Sequence, residues 1–147
     1  MTKLLKGISI YLIGALGYGA IELLFRGHTH WTMLLAGGVC FCLLYKISSL
    51  PMRKWQKWVL GASAITTVEF VAGAIVNIWL KWSVWDYSGH ALNLFGQICL
   101  LFTVLWFLLC IPAMELCVLL RSGLSRLRIF SQGPQDGSSQ DGPRPAI

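Results

Sequence analysis

Four long apolar runs alternate with short polar connections along the chain, at roughly residues 8–25, 31–50, 58–80 and 92–111. At about 1.5 Å per residue, each is long enough to cross a hydrocarbon layer of about 30 Å as a helix. A single segment can satisfy all its own backbone groups in lipid only as a helix. The pattern therefore predicts an all-α integral membrane bundle of four transmembrane helices, forming one domain over residues 1–130. The last stretch, SQGPQDGSSQDGPRPAI at 131–147, has the Gly, Pro and Ser content expected of a disordered tail.

Composition agrees with lipid as the solvent: 56% of residues are hydrophobic and 12% charged, against about 25% charged in soluble domains. The net charge of +6 sits in clusters between the runs. Lys3 and Lys6, then Arg53, Lys54 and Lys57, then Arg121, Arg126 and Arg128 fall on one side of a four-span topology, with Arg26 and Lys81 on the other. The imbalance predicts both termini in the cytoplasm. No basic groove with interleaved aromatics appears, which argues against a nucleic-acid partner. The basic, apolar start resembles a signal peptide, but Glu22 continues its helix and three runs follow, so it is expected to stay as the first span of a multi-pass cell-membrane protein. Cys40, Cys42, Cys99, Cys110 and Cys117 lie in or beside apolar runs with no C-x-x-C spacing and are expected as packing residues.

Within the runs, polar residues follow helical spacing. Ala62, Thr66, Glu69, Gly73 and Asn77 form one narrow stripe of the third run, with Leu60, Val71, Ile75 and Ile78 behind it. In the first, Tyr11, Ala15, Tyr18, Glu22 and Arg26 share a face, opposite Ile10, Ile13, Leu16 and Leu24. Glu22 and Arg26 form an i,i+4 pair in the favourable order. Gly38, Cys42, Tyr45 and Ser49 make a milder stripe on the second run. Each stripe is expected to face neighbouring helices.

In the predicted orientation Glu22, Asn77 and Gln97 lie about one turn below the outer ends of their helices. Above them are Arg26, His28, His30, Asp86, His90 and Asn93; below, near the midplane, is Glu69. The expected arrangement is an outward-facing polar funnel that reaches an intramembrane glutamate. Such a carboxylate costs at least about 2.5–3.5 kcal/mol to insert, so it must be paired, hydrated or protonated. The candidate binding residues are Glu69, Glu22, Asn77, Asn93, Gln97, Asp86 and Arg26. No metal site is expected; His28, His30 and His90 are the only candidates for one. No hydrolase elbow, zincin motif or phosphate loop is present, and neither enzymatic activity nor a cofactor is expected.

Three segments, VEFVAGAIVNIWL, VWDYS and LNLFGQICLLFTVLWFLL, resemble a family of small bacterial multi-pass membrane proteins grouped as ABC-transporter type IV, bicarbonate-permease-like. The likeness covers roughly residues 14–112 and is most specific at Glu69, Trp85-Asp86-Tyr87-Ser88, Asn93, Gly96 and Gln97. It implies a permease component, although the connection between the second and third runs is too short for the helix by which such permeases usually dock an ATPase. The expected function is a small transporter or permease component for a polar solute or ion, acting as a homodimer or with a membrane partner. The alternative is a structural or regulatory subunit that docks another membrane protein through the same stripes.

Overall fold

The computed structural model describes residues 3–131, with side chains described as far as Gly123. Helix α1 spans Lys3–Arg26 and ends at Gly27, whose positive φ of 72° lets its N–H return to the Leu23 carbonyl at 3.0 Å. Helix α2, Trp31–Ser48, is capped by His30, whose Nδ1 accepts from Thr32 N at 3.4 Å. Helix α3, Lys54–Gly73, opens with the Arg53 N–H bonded to Gln56 Oε1 at 3.0 Å and passes into a π-helical turn, Ala74–Trp79. Helix α4 runs from Leu100 to Ser131. All four are long and apolar enough to cross a membrane. The chain is nearly all-α, as the runs predict.

The largest departure concerns the fourth run. Residues 92–99 are not helical: β1, Asn93–Leu94, pairs antiparallel with β2, Ile98–Cys99, around Gly96 at φ 67°. The apolar letters there conceal turn chemistry. The Asn93 side chain donates to the carbonyls of Ser88 (3.2 Å) and His90 (2.8 Å) and accepts from Gly96 N (3.2 Å), bonds that compete with a helix. Helix α4 compensates by continuing through Pro112, which removes one backbone donor without ending the helix. Helices α1 and α3 begin earlier than expected, at Lys3 and Lys54, and α2 ends at Ser48. Residues 132–147, nearly all of the expected tail, lie outside the described residues.

Helix α2 is the centre of the bundle. Over its most apolar window 56% of residues are buried, against 28%, 33% and 22% in the other three spans. It packs on α1, α3 and α4, which explains why its polar stripe is the weakest. Close approach to α1 depends on glycine: a Cβ on Gly37 would stand 2.8 Å from Tyr18 Cγ, and one on Gly14 would stand 2.8 Å from the Gly37 carbonyl and run into Phe41. The stripe on α3 is inward as expected, with Ala62, Glu69 and Gly73 buried and Leu60, Val71, Ile75 and Ile78 exposed. On α1, Ala15 and Glu22 are buried, but so is Ile10, which was expected on the opposite face; it belongs to the main core cluster. Leu24 and Phe25 are each 84% exposed, an outer surface suited to hydrocarbon.

Gly37→Val is expected to destabilise the α1–α2 pair by about 1–3 kcal/mol through overpacking. Gly17→Ala serves as the control, because a Cβ there meets nothing. Thermal unfolding of the detergent-solubilised protein should show a lowered midpoint for the first variant and none for the second.

Candidate functional site around Glu69

Glu69 is 5% exposed, in the middle of the α3 stripe. Both carboxylate oxygens have donors from elsewhere in the chain: Tyr87 Oη donates to Oε1 at 3.1 Å, and Trp106 Nε1 to Oε2 at 2.7 Å. Trp106 comes from α4, and Tyr87 from the segment between the π-helical turn and β1. Aromatic rings hold both donors. Tyr87 stacks on Phe102 with centroids 4.5 Å apart, and Tyr18 of α1 stacks on Trp106 at 5.7 Å. One turn before Glu69, the buried Thr66 hydroxyl has no hydrogen-bond partner among the described residues. A void with room for about one water centre, ≈ 10 Å³, adjoins Glu69 between Tyr18, Met33, Cys40 and Trp85.

The outer groups form a second layer. Glu22, 6% exposed, accepts from Arg26 Nη1 at 2.8 Å and Thr29 Oγ1 at 2.7 Å, and Arg26 Nη2 reaches the Val84 carbonyl at 3.0 Å. Asn77, in the π-helical turn, donates to Gln97 Oε1 at 2.8 Å and accepts from Val84 N at 2.7 Å. Gln97 Nε2 donates to the Phe95 carbonyl at 2.9 Å, and Trp85 Nε1 to the Gln97 carbonyl at 3.1 Å. Gln97 is seated by Gly73, where an added Cβ would lie 2.5 Å from Gln97 Oε1. The wide turn that offers Asn77 is closed by Leu80 N to Ile75 O and Trp82 N to Val76 O, both 2.9 Å. Segment 80–99 is thereby sewn to α1, α3 and α4 across the top of Glu69. Its backbone is held out of ordinary geometry, with Lys81, Ser83, Leu92 and Phe95 at φ of 50–55°, a conformation costing a non-glycine residue roughly 1–2 kcal/mol.

The sequence-derived candidates thus divide. Glu69, Glu22, Arg26, Asn77 and Gln97 belong to one connected region, although Gln97 lies in the hairpin ahead of α4 and not one turn inside it. Asn93 and Asp86 stand apart. Asn93 is exposed and ties the turn, while exposed Asp86 accepts from Ser88 N at 2.8 Å and Ser88 Oγ at 2.9 Å. The histidines are dispersed: His28 Nδ1 lies 2.9 Å from the Arg26 carbonyl, His30 caps α2, and His90 packs edge-on against Tyr87 and Phe102. Among the described residues no three His, Cys, Asp or Glu side chains come together to hold a metal. The candidate binding residues left out Tyr87, Trp106, Tyr18, Trp85 and Thr29, although Tyr18 stood on the inward stripe of the first run and Trp85 and Tyr87 in the run most specific to the family resemblance. The requirement that a buried glutamate have donors was a signal for such residues, but it does not say which aromatic supplies them.

A family model with the description "Putative ABC-transporter type IV" matches residues 6–129. No curated protein and no solved structure gives a match to the chain.

Two outcomes follow from this geometry. Gln97→Leu strands the half-buried Asn77 amide, at about 1–3 kcal/mol for a buried group left without a partner; hydrogen exchange should accelerate across 80–99 and stay unchanged in α1 and α2. The Ser88 backbone N–H and, after it, the hydroxyl hold Asp86 below the usual aspartate range. Because the folded value is depressed, this support for the turn is present above the unfolded value and is lost as pH falls through the folded one. Ser88→Ala should move the titration part of the way back up, read from the Asp86 carboxyl carbon shift.

Proposed function

The chain belongs to the ABC-transporter type IV family, and from that premise we propose that it is a non-enzymatic transporter or permease component of the cell membrane, moving a small polar solute or ion past Glu69. The observation that carries this reading is the Tyr87–Glu69 hydrogen bond. It joins a deeply buried carboxylate directly to the polar segment lying across it, so displacement of that segment exposes the carboxylate. An intramembrane carboxylate facing other helices is a default candidate for a solute or proton site. The Thr66 hydroxyl on the same stripe, without a partner among the described residues, adds a second polar group that a solute or water can engage. In this reading the segment 80–99 is the outer cover of an occluded funnel. Glu22, Arg26, Asn77 and Gln97 hold the cover shut, and Asn93 and Asp86 shape it.

A second reading has its own observation. Asn77 and Gln97 bond to each other and to the backbone, and Glu22 to Arg26 and Thr29, as in a structural or regulatory subunit whose partner docks on the outside.

The test uses the full chain in proteoliposomes on a solid-supported membrane, with concentration jumps of protons, alkali cations and bicarbonate. The wild type should give a transport current for at least one of these. Glu69→Gln keeps the side chain's size and an acceptor for Trp106, and should abolish that current while inserting normally. Tyr87→Phe frees the cover but keeps the carboxylate, and should raise the current several-fold. A current unchanged in Glu69→Gln overturns the role given to this residue. Absence of any wild-type current, together with loss of a co-purifying membrane protein in Glu69→Gln, establishes the subunit reading instead.

A further inference from the structure

A groove of about 310 Å³ runs between α1 and α4, with α2 as its floor. Gly14 and Gly17 of α1 and Gly37 of α2 leave it room, and at Gly17 an added Cβ would meet nothing within 4 Å. The residues that line it are uncharged. Filling such a groove with hydrocarbon gains little in a membrane, because lipid chains are as apolar as the side chains they would touch. One occupant is preferred over another only through the polar chemistry of the walls.

That chemistry is concentrated in Tyr18 of α1 and Trp106 of α4, which both line the groove and whose rings stack with centroids 5.7 Å apart. Behind them lies Glu69. Trp106 donates Nε1 to Glu69 Oε2 at 2.7 Å, so the carboxylate stands within one side chain's length of the groove. The void beside Glu69 gives the same relation independently. Tyr18, Cys40 and Ile65 border that void, and the same three residues line the groove. Groove and void are thus the two sides of one wall. Tyr18 is its least buried member, since Cys40 and Ile65 are core residues.

Two aromatic rings with a carboxylate directly behind them attract a cation. Each ring draws a positive charge lying within about 6 Å of its centre, and the negative charge one side chain away acts strongly where water is excluded. Glu69 keeps its bonds to Tyr87 and Trp106 while it does so, and the cation need break neither. A neutral head gains less from the same wall, and an anionic head is repelled. The rest of the groove, from Ile13 and Phe41 to Leu116, is hydrocarbon and suits an apolar tail on the same molecule.

We propose that this groove binds a single-chain amphiphilic organic cation drawn from the bilayer, its tail between α1 and α4 and its ammonium head against Tyr18 and Trp106, with Glu69 as the counter-charge. The inference rests on Glu69 as a binding carboxylate, as the transport reading does. It depends neither on transport nor on displacement of the segment 80–99.

The experiment is equilibrium binding to the full chain in phosphatidylcholine nanodiscs, with empty discs subtracted. The probes are decyltrimethylammonium, decanol and decyl sulfate, which share one chain and differ in the charge of the head. The wild type should bind the cation at least tenfold more tightly than decanol, and decyl sulfate most weakly. Glu69→Gln should bring the cation down to the affinity of decanol. Gly17→Leu leaves Glu69 untouched and fills the groove where added atoms meet nothing nearby; it should lose the cation and keep the wild-type transport current. Equal wild-type affinity for cation and decanol overturns the proposal, as does a preference that survives Glu69→Gln. Undiminished cation binding in Gly17→Leu overturns the groove as the site. A cation preference lost in both variants, in a protein that carries no current, upholds this site and sinks the transport reading alone.

Discussion

A carboxylate enclosed by apolar helices cannot stand alone, because its transfer from water costs far more than packing returns unless hydrogen-bond donors come with it. In this chain that requirement is met at Glu69 by two aromatic donors that lie 18 and 37 residues further along. One donor pins α4 against α3. The other pins the polar connection to the same point. Much of the architecture follows from the need to deliver these two groups: the stack of Tyr18 on Trp106 brings α1 into the arrangement, and the stack of Tyr87 on Phe102 fixes the connection above α4.

The outer layer obeys the same rule with weaker groups. Asn77, Glu22 and Arg26 each offer polar atoms toward the ends of helices, and the connection offers the Gln97 side chain and the Val84 amide and carbonyl in return. Neither side is satisfied alone. A segment with four non-glycine residues at positive φ persists because many bonds over-determine it. That is how a connection with little regular structure can lie against a membrane bundle: backbone groups at Val84, Tyr87, Ser88, Gly96 and Gln97 find partners within the protein.

The parts of this structure legible in the sequence are those set by local spacing. Four apolar runs, the inward stripe through Glu69, and the Glu22–Arg26 pair all depend on residues within a few positions of one another. Two parts were hidden for different reasons. Residues 92–99 read as the start of a span because Leu, Phe, Ile and Cys dominate them, and hydropathy does not register that Asn93 and Gly96 build a turn. The donors to Glu69 were hidden because a Trp in an apolar run looks the same whether its indole faces lipid or a carboxylate. Only the packing of α4 on α3 decides that. Trp85 and Tyr87 have the same ambiguity in a connection between runs; Trp85 proves to be only 4% exposed.

The π-helical turn at Ala74–Trp79 gives the third span a property that the straight helices lack. Such a turn holds one more residue than an α-turn within nearly the same length, so it stores a single-residue slack. Taking up that slack would rotate everything beyond it by about 100°. Glu69, below the turn, would keep its orientation, while Asn77 would swing away from Gln97 and Val84. The two polar layers are therefore joined by an element whose extra residue sets the register of the outer one, turning Asn77 toward Gln97 and Val84.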